Sequence, residues 1–497
     1  MKTIFVSLID AIRHSFIGCI LMSLSFYSFS QATKFEIVFD GSEFDYARSI
    51  IQTYDSGYAI TGSSTSYGGG NTDIFLLKIQ KDGSWEWNKY FGGTNVDWGY
   101  SLIQASDSGY IITGFTNSFG AGGYDIYLIR TNSNGDTLWT KTIGGTDWDF
   151  SYYIEKTTDG GFIISGSTFE SGSENMLLVK LDAAGNISWQ KGYNANEGGK
   201  LYCVRQCMDS GFIAVGEITS SANKDIILMK VNASGDSLWT RTFGNSLEDV
   251  GYFVEQTFDA GYILSGKFTD TLTGNYRIAV IKTDSQGNPG FVQAIDGVVA
   301  DDVSNCVHQY ADSGYIISGY TKSIGGGGKD YRLIKLKSDG GWGWGKSYGG
   351  SQDDESFNMQ ITKDRGFVLV GETNSYGTTT PNTYVLKCDS LGVSTGNVVI
   401  GIPEQIRQVL PDMIVYPNPA RSQEQINILL PQGFKGLNNH STKLSLYDTI
   451  GRILDCREID ISSHHIILKN IALEAGMFFI RVESANKSFT QKIIITD

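Results

Sequence analysis

The chain has 497 residues, 41% hydrophobic and 12% aromatic, enough apolar material for a large core and too much for a disordered polymer. Its formal charge of −14 argues against nucleic acid and against an anionic membrane surface, since like charges repel. Gly at 60 residues against Pro at 7 suits many tight turns between strands better than stiff linkers.

Residues 1–32 read as an export signal. Lys2 and Arg13 precede the apolar stretch Phe16 to Phe29, and Ser30-Gln31-Ala32 offers small residues for cleavage. A membrane span fits less well, because Ser23, Ser25 and Ser28 interrupt a short apolar run. Without the leader five cysteines remain, Cys203, Cys207, Cys306, Cys388 and Cys456. Cys203 and Cys207 on one strand would stand about 13 Å apart, beyond disulfide reach, and no spacing suggests zinc.

From Asp55 one phrase recurs: Asp, any residue, Gly, an aromatic, three strand formers, Gly. It starts at Asp55, Asp107, Asp159, Asp209, Asp259, Asp312 and Asp364, a period of 50 to 53 residues. In the second unit the predicted strands are Ser101 to Ala105, Tyr110 to Thr113, Asp125 to Arg130 and Leu138 to Ile143, bounded by turn residues. Third strands such as Ile126-Tyr127-Leu128-Ile129 are almost continuously apolar and need cover on both faces, which neighbouring sheets provide in a β-propeller. A β-solenoid or tandem sandwiches fit the unit length less well.

A basic residue ends each third strand: Lys78, Arg130, Lys180, Lys230, Lys282, Lys335 and Lys387. A ring of positive charge for an anion is one reading; a solubilising charge at a strand end is preferred. Fourth strands place Trp four residues before another apolar residue, as in Trp87 with Phe91 and Trp139 with Ile143, with Phe291 and Ile295 replacing this in the fifth unit. The seventh unit lacks such a strand after Gly392, whereas Phe35 and Phe39 have the spacing, so residues 33–39 are expected to close the last blade.

Ten residues before each phrase stands Asp45, Asp97, Asp149, Asp249, Asp302 or Asp354, with Gly199 in the fourth unit, placed by this reading in the connections between blades. Such Asp residues commonly accept backbone N–H bonds. Calcium is the sharper alternative, but these loops lack dense alternating acids, so no metal is assigned. Asn134-Gly135-Asp136-Thr137-Leu138-Trp139 resembles the Asp-box turn of sialidase-type propellers with one residue too many, and such a turn brings no glycosidase activity. His308, the array's one histidine, holds a first-strand position occupied elsewhere by Ile51, Ile103, Glu155, Arg205, Glu255 and Gln360, which suits a blade position of mixed polarity better than a general base. No catalytic residue is assigned. Trp98 and Trp148 beside Asp97 and Asp149 are the candidate ligand-binding residues, since aromatics stack on sugar rings while acids bond hydroxyls; packing between blades is the competing account.

After Gly392 comes a linker, 393–412, and then short strands at Ile414–Tyr416, Ile426–Leu430, Lys443–Tyr447, Ile466–Leu468, Met477–Val482 and Lys492–Thr496, a small β-sandwich. Tyr416-Pro417-Asn418-Pro419-Ala420, Leu446-Tyr447-Asp448 with Gly451-Arg452, Gly476 to Val482 and Lys492 to Ile495 resemble the type A sorting domain of the type IX secretion system of Bacteroidetes. Phe478 stands where Tyr is common, and Asp497 where a basic residue often ends the chain. The resemblance implies outer-membrane export, removal of residues 413–497, and release or surface attachment. It concerns the address and not the ligand.

The sequence thus predicts an all-β protein, a seven-bladed β-propeller over 33–392 followed by a small C-terminal β-sandwich. The expected function is a secreted or surface-displayed binding or adhesion module, not an enzyme, without cofactor. Its partners are the type IX machinery and a glycan or protein ligand, with no nucleic acid, no membrane span in the mature form, and a monomeric state. The alternatives are a polysaccharide lyase or glycosidase, and an envelope scaffold.

Overall fold

The computed structural model describes residues 33–41, 43–170, 172–193, 198–220, 223–377 and 381–400, and, in a second unit, 414–416, 420–421, 426–429, 442–448, 452–459, 465–468, 473–484 and 487–496. The leader, residues 401–412 of the linker, Pro417 to Pro419 and Gly451 lie outside the described residues. All described elements are strands.

Residues up to Gly401 form one unit in which, among the described residues, seven sheets each run antiparallel from first to fourth strand. In blade 2 the strands are Asp97–Gln104, Tyr110–Thr116, Asp125–Thr131 and Thr137–Ile143. First strands of successive blades lie side by side, and that of blade 1 (Asp45–Gln52) meets that of blade 7 (Asp354–Ile361), so the sheets close a ring. Third strands are buried along nearly their whole length, as the need for two-sided cover demands.

The repeated phrase builds one device seven times. Its middle residue adopts φ between +63° and +84°, and the Asp carboxylate accepts the N–H of the Gly that follows. The basic residue at the end of the third strand folds onto that Asp, from Lys78–Asp55 at 3.0 Å to Lys387–Asp364 at 3.1 Å. These basic side chains are at most 12% exposed. The solubilising reading is therefore corrected: the cations lock a turn within each blade.

Between blades the aromatic of each phrase meets the fourth strand of the preceding sheet. Trp87 packs edge-on against Tyr110 at 5.9 Å, Trp189 against Phe212 at 6.0 Å and Phe291 against Tyr315 at 5.9 Å. The same indoles and Phe291 cover glycines of the following blade: a Cβ on Gly135, Gly235 or Gly340 would lie 2.6 to 3.1 Å from Trp87, Trp189 or Phe291. Phe35–Phe39 fills the fourth-strand place of blade 7, antiparallel to Asn382–Cys388. Phe35 meets Tyr58 of blade 1 at 5.7 Å and lies under Gly83, repeating the interblade wedge. Val398–Ile400, assigned from sequence to the linker, adds a fifth strand parallel to Phe35–Phe39.

First strands open four residues earlier than their sequence suggested. Asp97 and its equivalents begin these strands, except Asp249, which stands one residue before Val250–Gln256. The reading failed because each first strand carries a β-bulge, Gly99/Ser101 in blade 2, which breaks the alternation of faces. Among the described residues the cysteines are free; Cys203, Cys207, Cys306 and Cys388 are buried, and Cys456 is exposed.

The second unit, from Ile402, has a three-stranded sheet (Ile414–Tyr416, Ile426–Leu429, His465–Leu468) and a five-stranded one in the order Ala420–Arg421, Lys487–Thr496, Gly476–Ser484, Thr442–Tyr447, Ile453–Ile459. Ile426, Ile428 and Leu468 of one pack on Leu444, Leu446, Ile480, Val482, Ile493 and Ile495 of the other, the core of a sandwich. Ile453–Ile459 was not anticipated; its polar Asp455, Arg457 and Glu458 obscure the strand pattern.

Candidate functional site

First strands line the axis of the ring, running from an upper face, where the opening Asp residues lie, to a lower face with the Asp-x-Gly turns. Counting from the opening Asp, positions three and six would point to opposite faces of a regular strand. The bulge makes position three the extra residue, so both face the axis. Position three gives Arg48, Tyr100, Tyr152, Tyr202, Tyr252, Asn305 and Phe357, which line a vestibule of about 290 Å³. Position six contributes Ile51, Ile103, Glu155, Arg205, His308 and Gln360 to a lower cavity of about 360 Å³. Ser49, Ser101, Tyr153, Phe253 and Asn358 line both. Tyr153 and Phe253, in edge-on contact at 5.8 Å, lie where the two spaces adjoin.

The lower cavity holds an unrepeated polar chain. Arg205 pairs with Glu155 at 2.9 Å and donates to the Tyr153 hydroxyl at 2.8 Å, while His308 Nδ1 lies 2.5 Å from Glu255. Glu155 and Glu255 also accept the backbone N–H groups of Gln206 and Gln309 in the next blade. Burial raises the Glu155 carboxyl against the pull of Arg205, whereas His308 and Arg205 outweigh burial at Glu255 and lower it. Burial opposes the His308 cation, yet Cys306 and Glu255 lift it to about 10. His308 is thus a charged partner between blades, in accord with the mixed-polarity reading.

The upper face is divided. Over blades 1 to 3 aromatic rings form a continuous arc: Phe44 to Tyr46 (6.2 Å), Tyr46 to Trp98 (5.5 Å), Trp98 to Phe115 (6.4 Å), Phe115 to Phe150 (4.9 Å), Phe150 to Tyr124 (5.7 Å), and Tyr124 to Trp148 (5.8 Å). Trp148 is 51% exposed. The arc runs into the vestibule, where Tyr100, Tyr152, Tyr202 and Tyr252 follow one another at 5.1 to 5.3 Å. Over the other blades stand ion pairs: Lys224–Glu217, Lys267–Glu248 and Lys329–Glu355.

Of the four residues chosen from sequence, Trp98 and Trp148 lie in the arc. Asp97 and Asp149 are 0% and 4% exposed. Asp97 Oδ2 accepts from Gly93 N at 2.8 Å and Ser118 Oγ at 2.7 Å, and Asp149 Oδ2 accepts from Gly145 N at 2.9 Å. These carboxylates fasten the connections that carry the indoles, and the other oxygen of Asp97 is buried. Among the described residues no group of three or more His, Cys, Asp or Glu is placed to hold a metal. The tyrosine belt escaped the sequence reading, although Tyr100, Tyr152, Tyr202 and Tyr252 occupy one column of the repeat. At the junction of arc and vestibule, Arg48 stacks on Phe357 at 3.8 Å, and Glu372 acts electrostatically on both Tyr46 and Arg48. Burial lifts the Glu372 carboxyl to about 7 against the pull of Arg48.

Fold and tail together define an exported protein built on a propeller-type repeat. Residues 414–496 match the secretion system C-terminal sorting domain, and the chain is a cargo of type IX secretion, sent to the cell surface or beyond it. No helix among the described residues is long and apolar enough to cross a membrane. No curated protein matches the sequence. Among solved structures, the extracellular domain of BT4673 from B. thetaiotaomicron is 10% identical at a TM-score of 0.40, with 91% of this chain and 56% of that one covered. A puromycin hydrolase is 12% identical (TM-score 0.46; 80% of this chain, 61% of that). The polysaccharide lyase Uly1 is 11% identical (TM-score 0.46; 74% of this chain, 94% of that). This chain thus spans little more than half the length of the first of these, and at such identities none of them speaks to its activity.

Proposed function

We propose that the propeller is an extracellular binding module, delivered by its sorting domain, and that its ligand is a saccharide chain laid on the aromatic arc. The arc carries this reading. A repeat accounts for residues found in every blade, but a ring-to-ring arc over blades 1 to 3 bearing a half-exposed Trp148 breaks the repeat in the way a binding surface does, whereas Tyr276 and Tyr320 of later blades lie beneath Lys267 and Lys329. Sugar rings present apolar faces to indole and phenol rings, and the flanking Lys–Glu pairs suit their hydroxyls.

The test is a screen of the mature full chain against immobilised polysaccharides. Trp148→Ala is expected to weaken the interaction about tenfold, the loss of one well-packed aromatic anchor. Retention of every polysaccharide by Trp148→Ala and Trp98→Ala at wild-type strength would sink the reading.

A second reading, an enzyme acting on polysaccharides, draws on the unrepeated Glu155, Arg205, Glu255, His308 and Tyr153. Against it stands their mutual pairing: both carboxylates are engaged by a cation and by a neighbouring N–H. Appearance of new chain ends in any bound polysaccharide would favour the enzyme.

A further inference from the structure

Position three of the first strands is Tyr in four blades running, and blade 1 breaks that column with Arg48. Its guanidinium lies 3.8 Å over the ring of Phe357 and 5.9 Å from that of Tyr100, and all three residues line the vestibule. Among the described residues Arg48 makes no hydrogen bond and no ion pair, and its ε N–H is buried without a partner. Arg130, Arg205 and Arg332 of the same ring each pair with an acid, at 2.6, 2.9 and 2.8 Å. A guanidinium held by stacking alone keeps its fork of donors for an oxyanion, which such a fork grips through two parallel N–H bonds.

The surrounding charges leave that role open. Arg48 and Glu355 are the charged residues of the vestibule lining, and Glu355 is matched by Lys329 at 2.5 Å. Glu174, Glu217 and Glu248 of the upper face are matched by Lys200, Lys224 and Lys267 at 2.8 to 3.3 Å. Glu372 stands outside the lining, and burial lifts its carboxyl to about 7, so at neutral pH it carries only part of a charge. The vestibule therefore holds one positive charge without an ionic partner, beside a wall of tyrosines. The net charge of −14 disfavours a dense polyanion, but not a single anion seated on Arg48, because charges farther off than about 8 Å are screened at physiological salt. Trp98 of the arc lies 6.4 Å from Tyr100 of the vestibule, so one chain can touch both.

We propose that the vestibule is a subsite for an acidic sugar: a carboxylate or sulfate ester on a saccharide chain, its acidic units spaced among neutral ones, pairs with Arg48 while neighbouring units lie on the aromatic arc. The inference rests on the saccharide reading above and adds to it the class of saccharide.

The test compares two pairs of polymers on the full chain: a polysaccharide with interspersed uronate units against the same polymer after carboxyl reduction, and a sparsely sulfated polysaccharide against its desulfated form. At least one native polymer is expected to bind about tenfold or more tighter than its neutralised partner, the worth of a hydrogen bond between charged groups. A response in the first pair assigns a carboxylate, and in the second a sulfate ester. Arg48→Gln, with a melting midpoint matched to wild type, should bring the native polymer down to the neutralised level, and Arg48→Lys, which keeps the charge but not the fork, should recover only part. If Arg48→Gln does not fold, competition on wild type by the free acidic sugar and its neutral counterpart takes its place, and equal competition would overturn the proposal. A preference that survives in Arg48→Gln would overturn the assignment to Arg48. Equal binding of native and neutralised polymers would overturn the acidic subsite, and its fall in Trp148→Ala would leave the arc standing. Absence of binding to every polysaccharide would remove both.

Discussion

Closure of the ring rests on Phe35, and its removal is open to a controlled measurement. Phe35 is 6% exposed, meets Tyr58 edge-on at 5.7 Å and covers Gly83, as Phe291 meets Tyr315 and covers Gly340 in the middle of the ring. Truncating a buried Phe to Ala costs about 3–5 kcal/mol from lost burial and the cavity left behind. With an unfolding entropy of about 2.1 cal/mol/K per residue over residues 33–401, that is a fall of about 4–6 °C in melting midpoint. All 9 tryptophans lie between Trp85 and Trp344, so intrinsic fluorescence reports this unit without interference from the second. Phe291→Ala supplies the internal standard, the same residue in the same wedge within a continuous stretch of chain. Phe35→Ala should lower the midpoint at least as much, and deletion of 33–40 more. A Phe35→Ala protein melting within 1 °C of wild type, while Phe291→Ala falls as expected, would show that the leading strand is not structurally required.

Acid should loosen the blades. Lys180 and Thr157 hold Asp159 at about 2 against burial; at Asp259 burial pushes upward, and Lys282 with Thr257 outweighs it to reach about 2. Because the folded values lie below the ordinary 3.8, this stability is present above pH 4 and disappears as pH falls through 2. A Asp159→Asn/Asp259→Asn variant should therefore show a flatter melting profile between pH 4 and 2 than wild type; identical slopes would refute the linkage. His308 carries the opposite sign: lifted to about 10, its contribution is complete below pH 6.5 and declines towards pH 10, so its imidazole resonances should stay constant from pH 6 to 8 in NMR. A midpoint near 6.5 would break the pairing with Glu255. Lys387, 0% exposed and 3.1 Å from Asp364, should be costly to orphan: Asp364→Ala is expected to destabilise by about 3–5 kcal/mol in denaturant titration, and a loss below 1 kcal/mol would show the pair to be dispensable. Finally, because the opening carboxylates hold backbone N–H groups and hydroxyls, melts in EDTA and in calcium should coincide, and a large calcium-dependent rise would assign a metal to them.

Much of the scaffold was legible because its devices are local. Asp-x-Gly-aromatic specifies a turn with one left-handed residue and a buried ring, all within four residues, and seven copies announce themselves. The spacing of Phe35 and Phe39 was enough to match a fourth strand, since strand pairing asks only for a compatible alternation. The sorting domain was legible from short motifs, while its strand Ile453–Ile459 was not, being polar at Asp455, Arg457 and Glu458.

The sequence alone determined that strands of this period must pack as stacked sheets, because third strands apolar on both sides cannot be covered from within one sheet. It determined the address as well, through a tail whose motifs do not depend on the propeller. Tertiary structure alone decided which side chains share the axis, since a single inserted residue in each first strand brings positions three and six to the same side. It also decided the fate of the charges: lysines that seemed destined for solvent turn inward onto an Asp from the preceding hairpin, and aspartates that seemed ready for a ligand hold their own loops. Such outcomes depend on which atoms the closed ring brings within hydrogen-bond reach, and no spacing along the chain encodes that distance.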